Sequence, residues 1–206
     1  MITVTKGEEG EAGEVAEAAE SLMVEGAEPV TPRLRLRRLT EDDLDAVHAI
    51  HADPRTNRHN PAGPVTDVAQ SARMLGDWIA HWDRYGFGYW AVVPREADGG
   101  PAGRVVGFSG LMRREADGRP VLNLYYRFHP DAWGSGYATE AARAARDLAR
   151  DRFPGEDLVA LVRDTNLPSA RVAERLGLVA DAWTIQHGGV TTRVYREPLT
   201  ATVPGR

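Results

Sequence analysis

Apolar and polar positions along this chain change period several times, and each change predicts an element. Leu34, Leu36 and Leu39 alternate with Arg33, Arg35, Arg37 and Arg38, which reads as an opening strand with one wet face. Thr40 is placed to cap a helix whose first turn holds Glu41, Asp42 and Asp43, where the dipole favours acids, and whose stripe is Leu44, Val47 and Ile50. Asp53-Pro54 ends it. A second helix starts near Thr66-Asp67 and is expected to turn Ala72, Leu75, Ile79 and Trp82 inward. Period two then returns. Tyr89 to Val93, Arg104 to Leu111 and Val121 to Phe128 read as a meander of three strands, the first two joined by the polar, glycine-rich loop 95–103.

Apolar residues at 138, 141, 142, 145, 148 and 149 restore the helical period over residues 137–152. Leu158 to Val162 is a short apolar run of the kind a buried strand has. A strand, a helix and a strand in one core imply a right-handed crossover and a parallel pair. Pro168 and Ser169 open another helix with Val172, Ala173 and Leu176 on one side, and Gly177 supplies its left-handed stop. Trp183 to His187, Gly188-Gly189 and Val190 to Tyr195 close the chain as a hairpin.

Composition bounds what this pattern serves. With 206 residues, 42% of them hydrophobic, one domain with a substantial core is enough. The absence of cysteine excludes disulfides, thiolate metal sites and a cysteine nucleophile. No apolar run approaches the roughly eighteen residues of a membrane span, and the N-terminus is acidic where a signal peptide would be basic, so a cytoplasmic protein without a membrane partner is expected. A net charge of −5 argues against a general nucleic-acid partner. Met1 to Pro32 stands apart: Glu8, Glu9, Glu11, Glu14, Glu17, Glu20, Glu25 and Glu28 face Lys6 alone, which marks residues 1–32 as a solvated acidic extension.

Chemistry concentrates in His129-Pro130-Asp131-Ala132-Trp133-Gly134-Ser135-Gly136-Tyr137-Ala138-Thr139-Glu140, between a strand and a helix. A glycine-rich turn opening a helix offers unpaired N–H groups beside the positive end of the helix dipole, an arrangement that binds phosphate. A P-loop would need Lys where Tyr137 stands, and a dinucleotide fingerprint would need a third glycine where Thr139 stands. A plain strand-to-helix turn, with glycine relieving strain only, is the alternative.

Trp133 through Ala138 resembles the acetyl-CoA signature of the GNAT N-acetyltransferase superfamily, Gln/Arg-x-x-Gly-x-Gly/Ala, with Gly136 and Ala138 at the small positions and Trp133 departing from Gln/Arg. The aromatic residue followed by Gly-x-Gly-Tyr-Ala-Thr-Glu-Ala resembles the branch that acetylates ribosomal-protein N-termini. A second block, Asn-x-x-Ser-x-x-Val-x-Glu-x-Leu-Gly-Leu from Asn166 to Leu178, resembles the next cofactor segment of that branch. The resemblance implies an α/β (α+β) GNAT acyl-CoA N-acyltransferase fold: a mixed central sheet of about seven strands, a splay between the fourth and fifth, and about four helices. It covers residues 33–199 as the acetyltransferase domain, leaving 200–206 as a C-terminal tail.

By the same resemblance, acetyl-CoA is the cosubstrate and the amides of Gly134, Ser135, Gly136, Tyr137, Ala138 and Thr139 hold its pyrophosphate. The thioester carbonyl would lie where residues 126–128 part from 158–162, with a backbone N–H near Arg127 or Phe128 as oxyanion donor; Tyr126 is a catalytic and acceptor-side candidate, with a core role as its alternative. Asn166 would bond pantetheine, and Ser169 stands where the branch has a candidate proton donor to sulfur. Both residues also suit a helix start; for Asn166 cofactor contact is preferred, and for Ser169 the two readings stand level.

The base is where the pattern runs thin. Some relatives carry a Glu in line with Asn123, and an amide accepts no proton at neutral pH. An α-amine, with pKa near 7.8, is roughly one-tenth neutral at pH 7, whereas a lysine side chain near 10.4 is neutral in only about one molecule in a few thousand. A site without a strong base is thus less handicapped on N-terminal amines. Arg58, His59 and Asn60 are acceptor-side candidates together with Asn123, because the loop between the first two helices borders the acceptor cleft in the family. His48 and His51 are read as surface or packing residues and His129 as shaping the turn, with no metal expected. The expected function is transfer of acetyl to a primary amine, foremost a protein or peptide N-terminus. A small-molecule amine acetyltransferase and a non-catalytic acyl-CoA-binding module are the alternatives, and a homodimer, common in the branch, is left open.

Overall fold

The computed structural model describes residues 27–95, 103–187 and 189–198. Residues 1–26 of the extension expected over 1–32, most of the loop expected at 95–103, Gly188 of the closing turn and the tail from 199 lie outside the described residues. Residues 27–32 are not a solvated tail: Ala27 is buried in the core with its carbonyl on the Trp90 indole N–H, the Pro29 carbonyl accepts from Leu36 N–H at 3.1 Å, and Thr31 donates to Glu140.

The chain runs β1 (Leu34–Arg38), a 3-10 turn at Glu41–Asp43, α1 (Leu44–Ala52), α2 (Val68–Tyr85), β2 (Tyr89–Pro94), β3 (Gly107–Ala116), β4 (Arg119–Phe128), a 3-10 turn at Pro130–Ala132, α3 (Tyr137–Arg152), β5 (Leu158–Arg163), α4 (Leu167–Arg175), β6 (Val179–His187) and β7 (Val190–Arg196). Seven strands form one sheet in the order β1-β2-β3-β4-β5-β7-β6. Every neighbouring pair is antiparallel except β4 and β5, which are parallel, as a crossover through α3 requires.

Two differences from the sequence reading have local causes. The β3 strand does not stop at Leu111. It runs on through Arg113, Arg114 and Glu115 and turns at Asp117-Gly118, with φ of 52° and 73°, into a β4 that begins at Arg119 rather than Val121. Both turn residues in the left-handed region mark the two-residue hairpin that Asp-Gly favours. In α2 the buried face is Ser71, Leu75, Trp78, His81 and Trp82, and Ala72 is exposed. Ser71 takes the inward place because its hydroxyl is 3.0 Å from Nδ1 of His48 on α1, so a polar contact rotates the helix away from the purely apolar phase.

Strand alternation puts a core on each face of the sheet. One joins Leu34, Leu36, Trp90, Val92, Leu111, Leu122 and Leu124 to Ala141, Ala142 and Ala145 of α3, whose small side chains let that helix approach closely. The other joins Val47 and Ile50 of α1 and Leu75 and Trp78 of α2 to Tyr89, Ala91, Phe108 and Met112. Each fully buried Leu or Ile contributes about 1.5–3 kcal/mol, so the two cores fix both helix layers against one sheet. On β4 this alternation turns Leu122, Leu124, Tyr126 and Phe128 toward the α3 layer and Asn123, Tyr125 and Arg127 toward α1 and α2.

Candidate active site

Only Leu122↔Leu158 and Asn123↔Val159 pair β4 with β5. Beyond Val159, β5 turns to β7 and pairs from Val159↔Arg196 to Arg163↔Thr192, leaving residues 124–128 of β4 without a neighbour on that side. The bond from the His129 N–H to the Val106 carbonyl sets the phase of the β3–β4 ladder, and the bond from the Leu122 N–H to the Asp157 carbonyl sets that of the other edge. By alternation, Arg127 exchanges its backbone bonds with Phe108 of β3, while the amides of Tyr126 and Phe128 face the gap. Of the two oxyanion donors the sequence offered, the register thus leaves Phe128 open and commits Arg127 to the sheet.

The glycine turn lies past the open end of β4. Gly134 and Gly136 have φ of 80° and 79°, a region that L side chains reach only with strain, and residues 134–136 are exposed. Among the described residues no protein acceptor meets the amide N–H groups of Gly134, Ser135, Gly136, Tyr137, Ala138 or Thr139; the first bond of α3 runs from Glu140 N–H to Gly136 C=O. Six amide donors without a protein acceptor thus stand at the N-terminus of a helix, the first three on exposed residues, which suits a diphosphate. Glu140 braces the turn from below. Its carboxylate accepts from Thr31 Oγ1 at 2.6 Å, from the Arg33 amide at 2.9 Å and from Arg33 Nε at 2.7 Å, and Arg33 Nη1 continues to the Ser135 carbonyl at 2.8 Å. Burial works to raise the Glu140 pKa, but these donors and the Arg33 charge outweigh it and hold the carboxyl below its ordinary range.

The Trp133 indole N–H donates to the Phe128 carbonyl at 3.0 Å, leaving the ring half exposed beside the turn. His129 shapes the segment as expected, its Nδ1 accepting from Asp131 N–H.

Across the gap, Asn166 caps α4: its Oδ1 accepts from the Ser169 N–H at 3.2 Å. The cap engages that oxygen and leaves the carboxamide NH2 group without a protein acceptor among the described residues. Ser169 Oγ donates to Tyr126 Oη at 3.0 Å, and Tyr126 Oη donates to the Ser169 carbonyl at 2.9 Å, so the two hydroxyls bridge β4 and α4 over the opening. Burial pushes the Tyr126 phenol up to about 12 against the lowering effect of Ser169, so it stands protonated and able to donate.

The other face of β4 is built from distant pieces. The Arg127 side chain turns away from the glycine turn and donates to Asn57 Oδ1 at 2.8 Å, and Asn57 Nδ2 donates to the His51 carbonyl at 2.7 Å. His59 Nδ1 lies 3.1 Å from Thr165 Oγ1, tying the α1–α2 loop to the end of β5. Asn60 spends its side chain within its own loop, on the Gly63 carbonyl, Asn57 Oδ1 and the Ala62 amide. Arg58 is exposed, with no acceptor among the described residues. Asn123 is buried and donates to Tyr89 Oη at 3.0 Å, at the point where the two strands part.

His51, read from the sequence as surface or packing, is buried and doubly bonded. Its Nδ1 donates to the Val47 carbonyl at 2.8 Å, which leaves Nε2 as the acceptor for Tyr125 Oη at 2.9 Å. Burial first, and the Arg127 charge second, push its pKa down to about 4. Its place four residues after Val47, on the apolar stripe of α1, was the signal available in the sequence. Among the described residues no three His, Asp or Glu side chains gather as a metal site, and no helix is long and apolar enough to cross a membrane.

Comparison with known proteins agrees with this geometry. The family model described as acetyltransferase (GNAT) domain matches residues 33–179. The Bacillus subtilis protein YkkB, itself uncharacterised, is 27% identical over 132 residues, 62% of this chain and 69% of YkkB. An acetyltransferase crystal structure from Agrobacterium tumefaciens is 29% identical with a TM-score of 0.69, over 83% of this chain and 94% of that one. The fold is also shared with RimL, a ribosomal L7/L12 α-N-protein acetyltransferase solved with coenzyme A (17% identical, TM-score 0.65, covering 82% and 96%), and with a Vibrio cholerae spermidine N-acetyltransferase chimera (15% identical, TM-score 0.60, covering 80% and 94%). With a family model spanning most of the chain, a parted parallel strand pair and an open, amide-lined turn, this protein belongs to the GNAT acetyltransferases, acyl-CoA-dependent enzymes whose cosubstrate is acetyl-CoA.

Proposed function

We infer that the chain moves acetyl from acetyl-CoA to the α-amine of a protein or peptide N-terminus by direct attack, in the cytoplasm, with residues 33–199 as the catalytic domain. The observation that carries transfer is the gap beside residues 124–128, which opens between unmet amides at 134–139 and the Tyr126–Ser169 hydroxyl pair. In this reading the turn holds the diphosphate, the Asn166 NH2 group bonds the pantetheine amide, and the Phe128 N–H meets the oxyanion that develops as nitrogen attacks. Ser169, with Tyr126 behind it, supplies the proton that the departing thiolate takes.

The α-amine reading is supported by charge around the opening. Asp53 and Asp164 are each paired, with Arg55 at 2.6 Å and Arg193 at 2.5 Å, while Arg58 and Arg127 face no carboxylate among the described residues. Asp131, exposed beside the glycine turn, pairs only with His129 among the described residues, so the cationic bias rests on Arg58 and Arg127; these would repel a polyamine and tolerate a peptide with acidic residues near its terminus. The test is thiol release from acetyl-CoA with peptides beginning in Ser, Ala or Met, with an N-blocked lysine peptide and with spermidine. Turnover with free N-termini sustains the reading, and preference for spermidine or the lysine side chain overturns it. Tight acetyl-CoA binding without acceptor-stimulated thiol release would instead identify a binding module.

A further inference from the structure

The α1/α2 face of β4 carries a buried polar assembly that cofactor binding does not use. Tyr125 lies one residue before Tyr126, whose amide faces the gap; the residue as a whole is partly covered, and its phenol group is buried. Its hydroxyl meets His51 Nε2 at 2.9 Å, and its ring stacks on Tyr89 with centroids 4.6 Å apart. Tyr89 in turn accepts from Asn123. Arg127 and Asn57 lock the His51 backbone from the loop side, and Trp78 and Phe108 hold the imidazole at ring distances of 5.4 and 5.8 Å. Asn123, the polar residue of this face beside the point where β4 and β5 part, is an amide and accepts no proton at neutral pH, which leaves the Tyr125–His51 pair as the titratable groups bonded to one another there.

We propose that Tyr125 takes the proton the acceptor nitrogen sheds as it bonds to the acetyl carbon, and that His51 positions Tyr125 and receives that proton in turn. This rests on the acyl-transfer reading above. The C–N bond forms, the C–S bond breaks and its electron pair leaves on the thiolate. The surplus proton on nitrogen passes to Tyr125 Oη as the tyrosine's own proton passes to His51 Nε2. Ser169 protonates the thiolate and recovers its proton from solvent; the imidazolium, bonded at both nitrogens, returns its proton through Tyr125 Oη once the amide has left, and solvent takes it there, so amine and acetyl-CoA give amide and coenzyme A. An amine bonded to a tetrahedral carbon is far more acidic than a free one, so a weak base suffices at this step.

The surroundings fit that role. The Nδ1 bond to Val47 fixes the tautomer with Nε2 bare, and the charged or titratable groups facing the pair are Arg127 from β4, Arg114 from β3 and Tyr89 from β2, with Asp77 of α2 beyond Arg114. Among the described residues no carboxylate stands beside the imidazole to hold a proton on it, and burial with Arg127 keeps it neutral at neutral pH. Burial pushes the Tyr125 phenol up to about 12, so its proton stays on oxygen until His51 accepts it.

The test uses Tyr125→Phe and His51→Gln in the full chain, with a serine-initiated peptide and acetyl-CoA. Each should lower kcat by about 100-fold, the lower end of the range of general acid–base catalysis, with KM for acetyl-CoA within about threefold of wild type. The double variant should be no slower than the slower single one, since the two act as a unit. A solvent deuterium isotope effect on kcat in the wild type should change in both variants, a readout that a packing pair would not move. Should Tyr125→Phe fail to fold, fluorotyrosine at 125 keeps the shape while lowering the phenol pKa, and an unchanged kcat there overturns the proposal. So does a folded Tyr125→Phe with kcat within threefold of wild type. A wild type that acetylates no amine removes the acyl-transfer reading itself, an outcome separate from variants that match an active wild type.

Discussion

The two faces of β4 are built in opposite ways. On the α3 face the site comes from nearly contiguous chain: Tyr126 to Thr139 supply the gap edge and the turn, and Asn166 to Ser169 the opposite rim. On the α1/α2 face, residues 51, 57, 89, 123, 125 and 127 meet from three elements and a loop, and their polar groups are spent on one another. The first face leaves donors open to solvent and is poised for a ligand with its own acceptors. The second is internally satisfied, and its chemistry is proton movement along bonds already made. Both depend on ionisation, in successive pH windows.

The largest effect expected separates the faces by acid. The folded pKa of His51 lies below its unfolded value, so the unfolded chain binds more protons between them. Its contribution is fully present above about 6.5 and is lost as pH falls toward about 4, a gap equivalent to about 3 kcal/mol. Urea unfolding across that window should show the loss in wild type and a flatter profile in His51→Gln; equal slopes would break the contrast.

Gly136→Val strikes the other face. A β-branched residue at φ of 79° is strained by about 2 kcal/mol, and its Cβ would lie 3.3 Å from Arg33 Nη2. Acetyl-CoA affinity by calorimetry should fall about thirtyfold, with the acid profile attributed to His51 unchanged.

Glu140→Gln is expected to cost less, about 1–2 kcal/mol, because a neutral acceptor replaces a charged one under three donors. The folded pKa of Glu140 is depressed, so its contribution is present above 4.5 and lost as pH falls through the lower folded value, a window beneath that of His51. Thermal unfolding at pH 7 and pH 3.5 checks it: the difference between wild type and Glu140→Gln should shrink at the lower pH.

The smallest effect concerns the rim. Arg58→Ala should raise KM about two- to fivefold for an acidic peptide acceptor, and less for a neutral one, consistent with less than about 1 kcal/mol for an exposed charge. A matching rise with both acceptors would remove Arg58 from recognition.

Legibility in the sequence followed the same division. Residues 137–152 were recognisable as a helix to the residue, since a 3.6-residue period after a glycine turn is a local signal. The Asp117-Gly118 hairpin was local too, yet Arg113, Arg114 and Glu115 masked the strand that leads into it, because exposed strand positions need not be apolar. For α2, residues 71 and 72 both fit the helical period, and only the contact of Ser71 with His48 decided between them. Asn166 gave the same pattern for a cap and for a cofactor contact, and the fold realises the cap.

By itself, the order of residues determined the elements, their sequence in the fold and the glycine turn with its open donors, because capping, periodicity and turn geometry are set by neighbours a few positions apart. Tertiary structure alone decided where β5 leaves β4, which of Arg127 and Phe128 keeps a free amide, and that His51 meets Tyr125 across 74 positions. Register and burial arise from packing among segments far apart in the chain, and an imidazole becomes a base or a mere filler only through the groups that enclose it.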